Sequence, residues 1–162
     1  MVTCVCPGSF DPVTRGHLDL ISRASALFDH VTVTVMVNIR KNSSIPIENR
    51  ISMLERICAG YDNVTVESWN GLLADYMKQK GERIVIRGLR SSAEFDQEMV
   101  SFSANRMINE NVETLFLPSD PAMTGISSSA VREIAAFGGN IESFVPSPLT
   151  EEIALFLSKK QN

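Results

Sequence analysis

Five short apolar runs, each followed by a segment of helical period, predict a doubly wound α/β protein built on one five-stranded parallel sheet with flanking helices. Three observations carry that reading. The runs are short and bounded by turn residues, as buried parallel strands are. Helical patterns alternate with them instead of following in a block, which implies βαβ units. The chain has 162 residues and 44% apolar content, the size of one domain with a full core. A single domain over residues 1–162 is therefore expected, with no linker, internal repeat or low-complexity tract.

The first strand is expected over Val2 to Cys6, ending at Pro7 and Gly8. Helix one follows Thr14, a residue suited to capping, and turns Leu18, Ile21, Ala24 and either Leu27 or Phe28 to the core. A second strand runs over Val31 to Val37, and Ile51, Leu54, Ile57 and Cys58 mark the apolar stripe of the next helix. Further strands are expected at Val64 to Ser68, Arg83 to Arg87 and Glu113 to Leu117. Pro146-Ser147-Pro148 then separates a late helix from a terminal one over about 150–160, whose Glu151 and Glu152 suit its first turn. That helix covers either the sheet or a subunit contact.

A formal net charge of −4 gives no electrostatic footprint for a nucleic-acid polymer, so positive charge has to be concentrated in a pocket. A nucleotide monomer fits better. The sequence shows no secretion signal and no apolar stretch near the ~20 residues that span a bilayer, so a cytoplasmic protein without membrane contact is expected. Cys4 and Cys6 point to one face of the first strand, and with Cys58 they read as reduced, buried thiols.

Chemistry is concentrated in two segments, Gly8-Ser9-Phe10-Asp11-Pro12-Val13-Thr14-Arg15-Gly16-His17 and Gly125-Ile126-Ser127-Ser128-Ser129-Ala130-Val131-Arg132. Each reads as a strand-to-helix turn, where free N–H groups and the positive helix end favour an anion such as phosphate. A histidine in the first helical turn can add a donor to the same point. Read alone, the first segment is also compatible with an ordinary capped turn, and the serine run with a helix cap.

Taken together, the two segments resemble the nucleotidyltransferase superfamily, with its (T/H)xGH and (I/V)SS(S/T)xx(R/K) motifs. Four further matches are similar to the phosphopantetheine adenylyltransferase family: the Gly8-Ser9-Phe10-Asp11-Pro12 opening, Lys41 after the second strand, the Arg87-Gly88-Leu89-Arg90 turn, and Glu94-Phe95-Asp96-Gln97-Glu98-Met99. Departures are Gln97 for an aromatic, Ile39 for a proline, and Gly125 where an aromatic usually precedes the serines. The resemblance covers nearly the whole chain and implies a Rossmann-like fold and transfer of AMP from ATP to 4′-phosphopantetheine, giving dephospho-coenzyme A and pyrophosphate.

The same resemblance implies the site. His17 and the Ser9 N–H region contact the α-phosphate, with Phe10 and Gly88 beside the nucleotide, and Lys41 draws the attacking and attacked phosphates together. Arg87 binds the acceptor phosphate, Arg90 the ATP phosphates, and Ser127, Ser128 and Ser129 the β- and γ-phosphates. Glu98 lies on the ribose side. Leu72, Leu73 and Asn105, with Glu133 nearby, match the pantetheine groove. Magnesium accompanies ATP, coenzyme A is a candidate feedback ligand, and a homohexamer is implied.

Read without the family, several of these residues are ordinary. Lys41 is a solvated lysine, Glu98 a helix-surface charge, and the two leucines core residues. Arg87 stands apart, because an arginine ending an apolar strand before glycine and a second arginine suggests an anion site. Two other functions share parts of the pattern: a superfamily relative using another acceptor or CTP, and a nucleotide sensor that binds without turnover.

Overall fold

The computed structural model describes residues 1–37 and 42–158. The order is β1 (Thr3–Gly8), α1 (Arg15–Leu27), β2 (His30–Met36), α2 (Ile47–Cys58), β3 (Val64–Trp69), α3 (Leu73–Lys80) and β4 (Ile84–Leu89). Then come α4 (Ser92–Ile108), β5 (Glu113–Pro118), a 3-10 turn at Pro121–Met123, α5 (Ser128–Ala136), a second at Ser147–Leu149, and α6 (Thr150–Ser158). All five expected strands form, and the sheet is parallel in the order β3-β2-β1-β4-β5.

That order places the topological switch between β1 and β4, where a doubly wound sheet opens a crevice beyond its carboxyl ends. Register explains the opening. β1 pairs with β2 from Thr3 through Gly8, but with β4 only at Val5 opposite Val85, so the two strands part before their ends.

Two strands run two residues beyond their expected ends: β4 continues through Gly88 and Leu89, so the expected turn after Arg87 is strand, and Pro7 and Gly8 belong to β1 and do not terminate it. Residues two apart on a strand face the same neighbour. Pro7 shares the β4 side with Val5, where the ladder has already ended, so its missing N–H interrupts no pairing. Its carbonyl accepts from Arg87 Nη1 at 2.7 Å instead.

The alternation of β1 divides the core. Cys4 and Cys6 enter a larger cluster with Ile21 of α1, Leu54 of α2, Val131 of α5 and Ile153 of α6. Val5 enters a smaller one on the other face, with Val85, Tyr76, Met77 and Val112. Phe28, and not the exposed Leu27, completes the α1 stripe. All three cysteines are buried and free. Helix α6 covers the core through Ile153 and Leu157, as the first of the two roles expected of the terminal helix requires. In contrast, α4 buries no residue completely.

Candidate active site

A cavity of about 650 Å³ opens at the switch point, and both expected motifs border it. The first is shaped by its backbone. Past Gly8 the chain turns through Phe10 at φ 48°, a left-handed conformation uncommon for a bulky residue. The Phe10 ring folds back over Gly8, where a Cβ would sit 3.0 Å from it, and lies 4.9 Å from the His17 ring. Any larger residue at Gly8 would have to push the Phe10 ring aside by a few tenths of an ångström.

Thr14 caps α1 in a reciprocal box: its Oγ1 accepts from the His17 N–H at 3.3 Å, and its own N–H donates to His17 Nδ1 at 3.0 Å. With Nδ1 accepting, the neutral ring carries its proton on Nε2. Burial first, then the charges of Arg87 and Arg90, push the His17 pKa from 6.5 down to about 4. At neutral pH it is an uncharged donor.

The serine motif clasps this loop. Ser127 caps α5 by accepting from the Ala130 N–H at 3.0 Å, and Ser128 Oγ donates to the Pro12 carbonyl at 2.8 Å. Arg132 donates to the Asp11 carbonyl and, at 3.0 Å, to Ser129 Oγ. Two segments more than a hundred residues apart in the chain thus share one wall of the cavity.

Opposite them stand Arg87, inside the second half of β4, and Arg90, just past its end. Arg87 forms a fork with Glu98 of α4, Nε to Oε2 at 2.9 Å and Nη2 to Oε1 at 2.6 Å. Arg90 donates through Nη1 to the Ile126 carbonyl at 2.7 Å and pairs with Glu94, which also accepts the Arg90 N–H at 3.0 Å. Burial alone would raise the Glu94 pKa, but hydrogen bonds from Arg90 outweigh it and hold the carboxyl below its ordinary value. Both arginines are therefore neutralised by α4 carboxylates that a phosphate could replace.

Comparison with known proteins places this architecture. Residues 5–134 match the cytidylyltransferase-like family. A phosphopantetheine adenylyltransferase of Streptomyces coelicolor is 47% identical, over 94% of each chain. One from Rubrobacter xylanophilus is 43% identical, over 98% of this chain and 97% of that protein. The chain belongs to the phosphopantetheine adenylyltransferase family. The fold extends further, since a Plasmodium falciparum nicotinic acid mononucleotide adenylyltransferase superposes with a TM-score of 0.72 over 99% of this chain and 98% of that one, at 14% identity.

Set against the family pattern, the cavity of this phosphopantetheine adenylyltransferase relative gathers Ser9, Phe10, His17, Arg87, Gly88, Arg90, Glu98 and the three serines. It does not gather the four residues matched to the pantetheine groove. Leu72 is 56% exposed, Leu73 packs on the smaller core cluster, Asn105 lies on α4 and Glu133 is exposed on α5; none of them borders the cavity. Lys41 and Ile39 lie outside the described residues.

Sequence reasoning missed Asp11, Arg50 and Glu94 as site residues. The Asp11 carboxylate accepts from the N–H groups of Ser44 and Ile45 at 2.7 and 2.8 Å, binding the first motif to the segment before α2. Arg50 is buried beside it and borders the cavity. A signal existed: Arg50 falls in the same helical stripe as Met53, Leu54 and Ile57, and a cation inside an apolar stripe marks a buried charge.

Proposed function

We propose that this chain transfers AMP from ATP to 4′-phosphopantetheine, giving dephospho-coenzyme A and pyrophosphate in coenzyme A biosynthesis. The carrying observation is the convergence of the two motifs with Arg87, Gly88 and Arg90 at the end of β4 on one switch-point cavity, in a chain whose relatives of 43–47% identity bear the phosphopantetheine adenylyltransferase name.

The acceptor phosphate attacks the α-phosphorus in line while pyrophosphate departs on the opposite side. The nucleophile is already an anion, so no strong base is required and the protein acts by positioning and charge stabilisation. His17 donates its Nε2 proton in a hydrogen bond to an α-phosphate oxygen, beside the Ser9–Phe10 turn. Arg87 takes the acceptor phosphate and Arg90 the ATP phosphates, each exchanging its α4 carboxylate for a phosphate. Glu98, once released, is available to a ribose hydroxyl, and Gly88 allows the nucleotide close to the strand end. The N–H groups at the start of α5, with Ser127, Ser128 and Ser129, receive the β- and γ-phosphates. Lys41 bridges the attacking and attacked groups.

The pantetheine arm leaves the cavity toward Leu72, Leu73 and Asn105, with Glu133 nearby. Magnesium enters with ATP and neutralises the departing pyrophosphate. Among the described residues no group of three or more acidic, histidine or cysteine side chains could hold a metal, and Asp11, the cavity carboxylate besides Glu94 and Glu98, is engaged by the N–H groups of Ser44 and Ile45, so the reading leaves magnesium on the nucleotide. The reading further includes one nucleotidyltransferase domain over residues 1–162, a cytoplasmic homohexamer and coenzyme A as a feedback ligand.

Pyrophosphate release from magnesium ATP tests it, with 4′-phosphopantetheine, nicotinamide mononucleotide and glycerol 3-phosphate as acceptors and CTP as the alternative donor. Release confined to ATP with 4′-phosphopantetheine is expected. Release with another pair replaces the substrate, and no release from folded, ATP-binding protein replaces the enzyme with a sensor.

A further inference from the structure

We propose that Arg50 is a positioning residue for adenylyl transfer, pinning the Ser9–Phe10 peptide and the segment before α2 in one frame so that the Phe10 N–H faces the transferring phosphate. The inference rests on the adenylyltransferase reading and adds a residue to that same site.

Arg50 lies in α2 and is only 3% exposed, yet it borders the cavity. Its Nη1 donates to the Ser9 carbonyl at 2.6 Å and its Nη2 to Ser43 Oγ at 3.2 Å. Its Nε is buried with no hydrogen-bond partner, and among the described residues Arg50 forms no ion pair with a carboxylate. Such a cation is costly inside a protein. Burial accordingly lowers its pKa, while Asp11 and Glu48 act to raise it. A core position filled for packing alone would take an apolar side chain, as Met53 and Leu54 do on the same stripe.

The geometry supplies a use for the charge. A trans peptide is planar, so its N–H points opposite to its carbonyl. The Ser9–Phe10 bond is trans, and fixing the Ser9 carbonyl on the α2 side directs the Phe10 N–H the other way. Among the described residues that N–H has no acceptor. Asp11 ties the same two segments from its own side through Ser44 and Ile45. The turn is held at both ends of a strained residue, Phe10, whose amide is thereby preorganised for an anion.

Arg50→Lys keeps the charge but gathers its donors at one point, so it cannot span Ser9 and Ser43. The wild type and this variant are compared in pyrophosphate release with 4′-phosphopantetheine, using ATP and the Sp and Rp isomers of ATPαS, with thermal melting alongside. Positioning predicts a fall in kcat of at least tenfold, a change in KM for ATP of less than threefold, and an Sp/Rp rate ratio altered by at least threefold. An unchanged kcat overturns the inference, as does a lower kcat with an unchanged isomer ratio, which marks a merely structural arginine. If the lysine variant does not fold, Arg50→Gln is measured with the same expectations. A wild type that releases no pyrophosphate overturns the reading beneath, a result distinct from any change in the variant.

Discussion

His17 is a neutral hydrogen-bond donor because its surroundings remove the alternatives: Nδ1 accepts from Thr14, and two arginines with burial disfavour the cation. A donor aimed at a developing charge acts mainly in the transition state, so His17→Ala is expected to lower kcat at least tenfold, about 1.4 kcal/mol of barrier. The fold should remain near normal, because the lost reciprocal cap costs only about 0.5–2 kcal/mol. Steady-state rates and a melting curve check both halves. The depressed pKa has its own consequence. As pH falls, the unfolded chain takes up the proton at 6.5 while the folded chain waits until about 4, so the stability held by the neutral ring is full above 6.5 and lost through that window. The span is on the order of 3 kcal/mol. NMR titration should give a His17 pKa near 4 that rises in Arg87→Met, and denaturation should show His17→Asn losing less stability than wild type between pH 6.5 and 4. A ring titrating near 6.5 in the folded wild type sinks this account.

Helix α4 sets the resting state of the arginines. It supplies Glu98 to Arg87 and Glu94 to Arg90, so each arginine enters the reaction by exchanging one anion for another. Arg87→Ala is expected to raise KM for 4′-phosphopantetheine at least fivefold more than KM for ATP; equal weakening of both would undo the division between the two arginines. The turn before α5 carries a different expectation. A Cβ at Gly125 meets nothing within 4 Å, so Gly125→Phe should fold and restore an aromatic wall. Base stacking on such a wall is worth ~1–3 kcal/mol in single-strand binders. The variant should therefore reject GTP and CTP more strongly than wild type, and equal rejection by both proteins counts against a looser native pocket. Part of this element pattern was legible in the residues, since the serine run precedes a helical period, but Arg87 does not end its strand as expected: β4 continues to Leu89. The partners were not legible. Which side chain Glu98 faces depends on how α4 returns across β4, and that Ser128 reaches Pro12 depends on two distant turns meeting, neither of which periodicity encodes.

At the scale of the whole molecule, alternation of strands and helices was enough to foresee a parallel sheet, and the strand order then places its crevice between β1 and β4. Pro7 inside β1 was not foreseeable, because its tolerance depends on where the β4 ladder stops. Nor was the buried role of Arg50 recognised, although its stripe position records it. The outward side of α4 is partly apolar: the helix buries none of its residues completely, and it exposes Val100 at 71% and Met107 at 88%, seven residues apart on one helix face. Ile108, the last residue of the same helix, is exposed as well. Exposed apolar side chains along one helix mark a contact surface more than a solvated one. The proposed homohexamer gives them a place, and it predicts that Val100→Glu with Met107→Glu breaks the assembly while leaving the monomer folded, since neither side chain belongs to a core cluster. Sedimentation should show six copies in the wild type and fewer in the variant, each with a cooperative melt. A monomeric wild type overturns the hexamer, and a variant that stays hexameric moves the contact to another face.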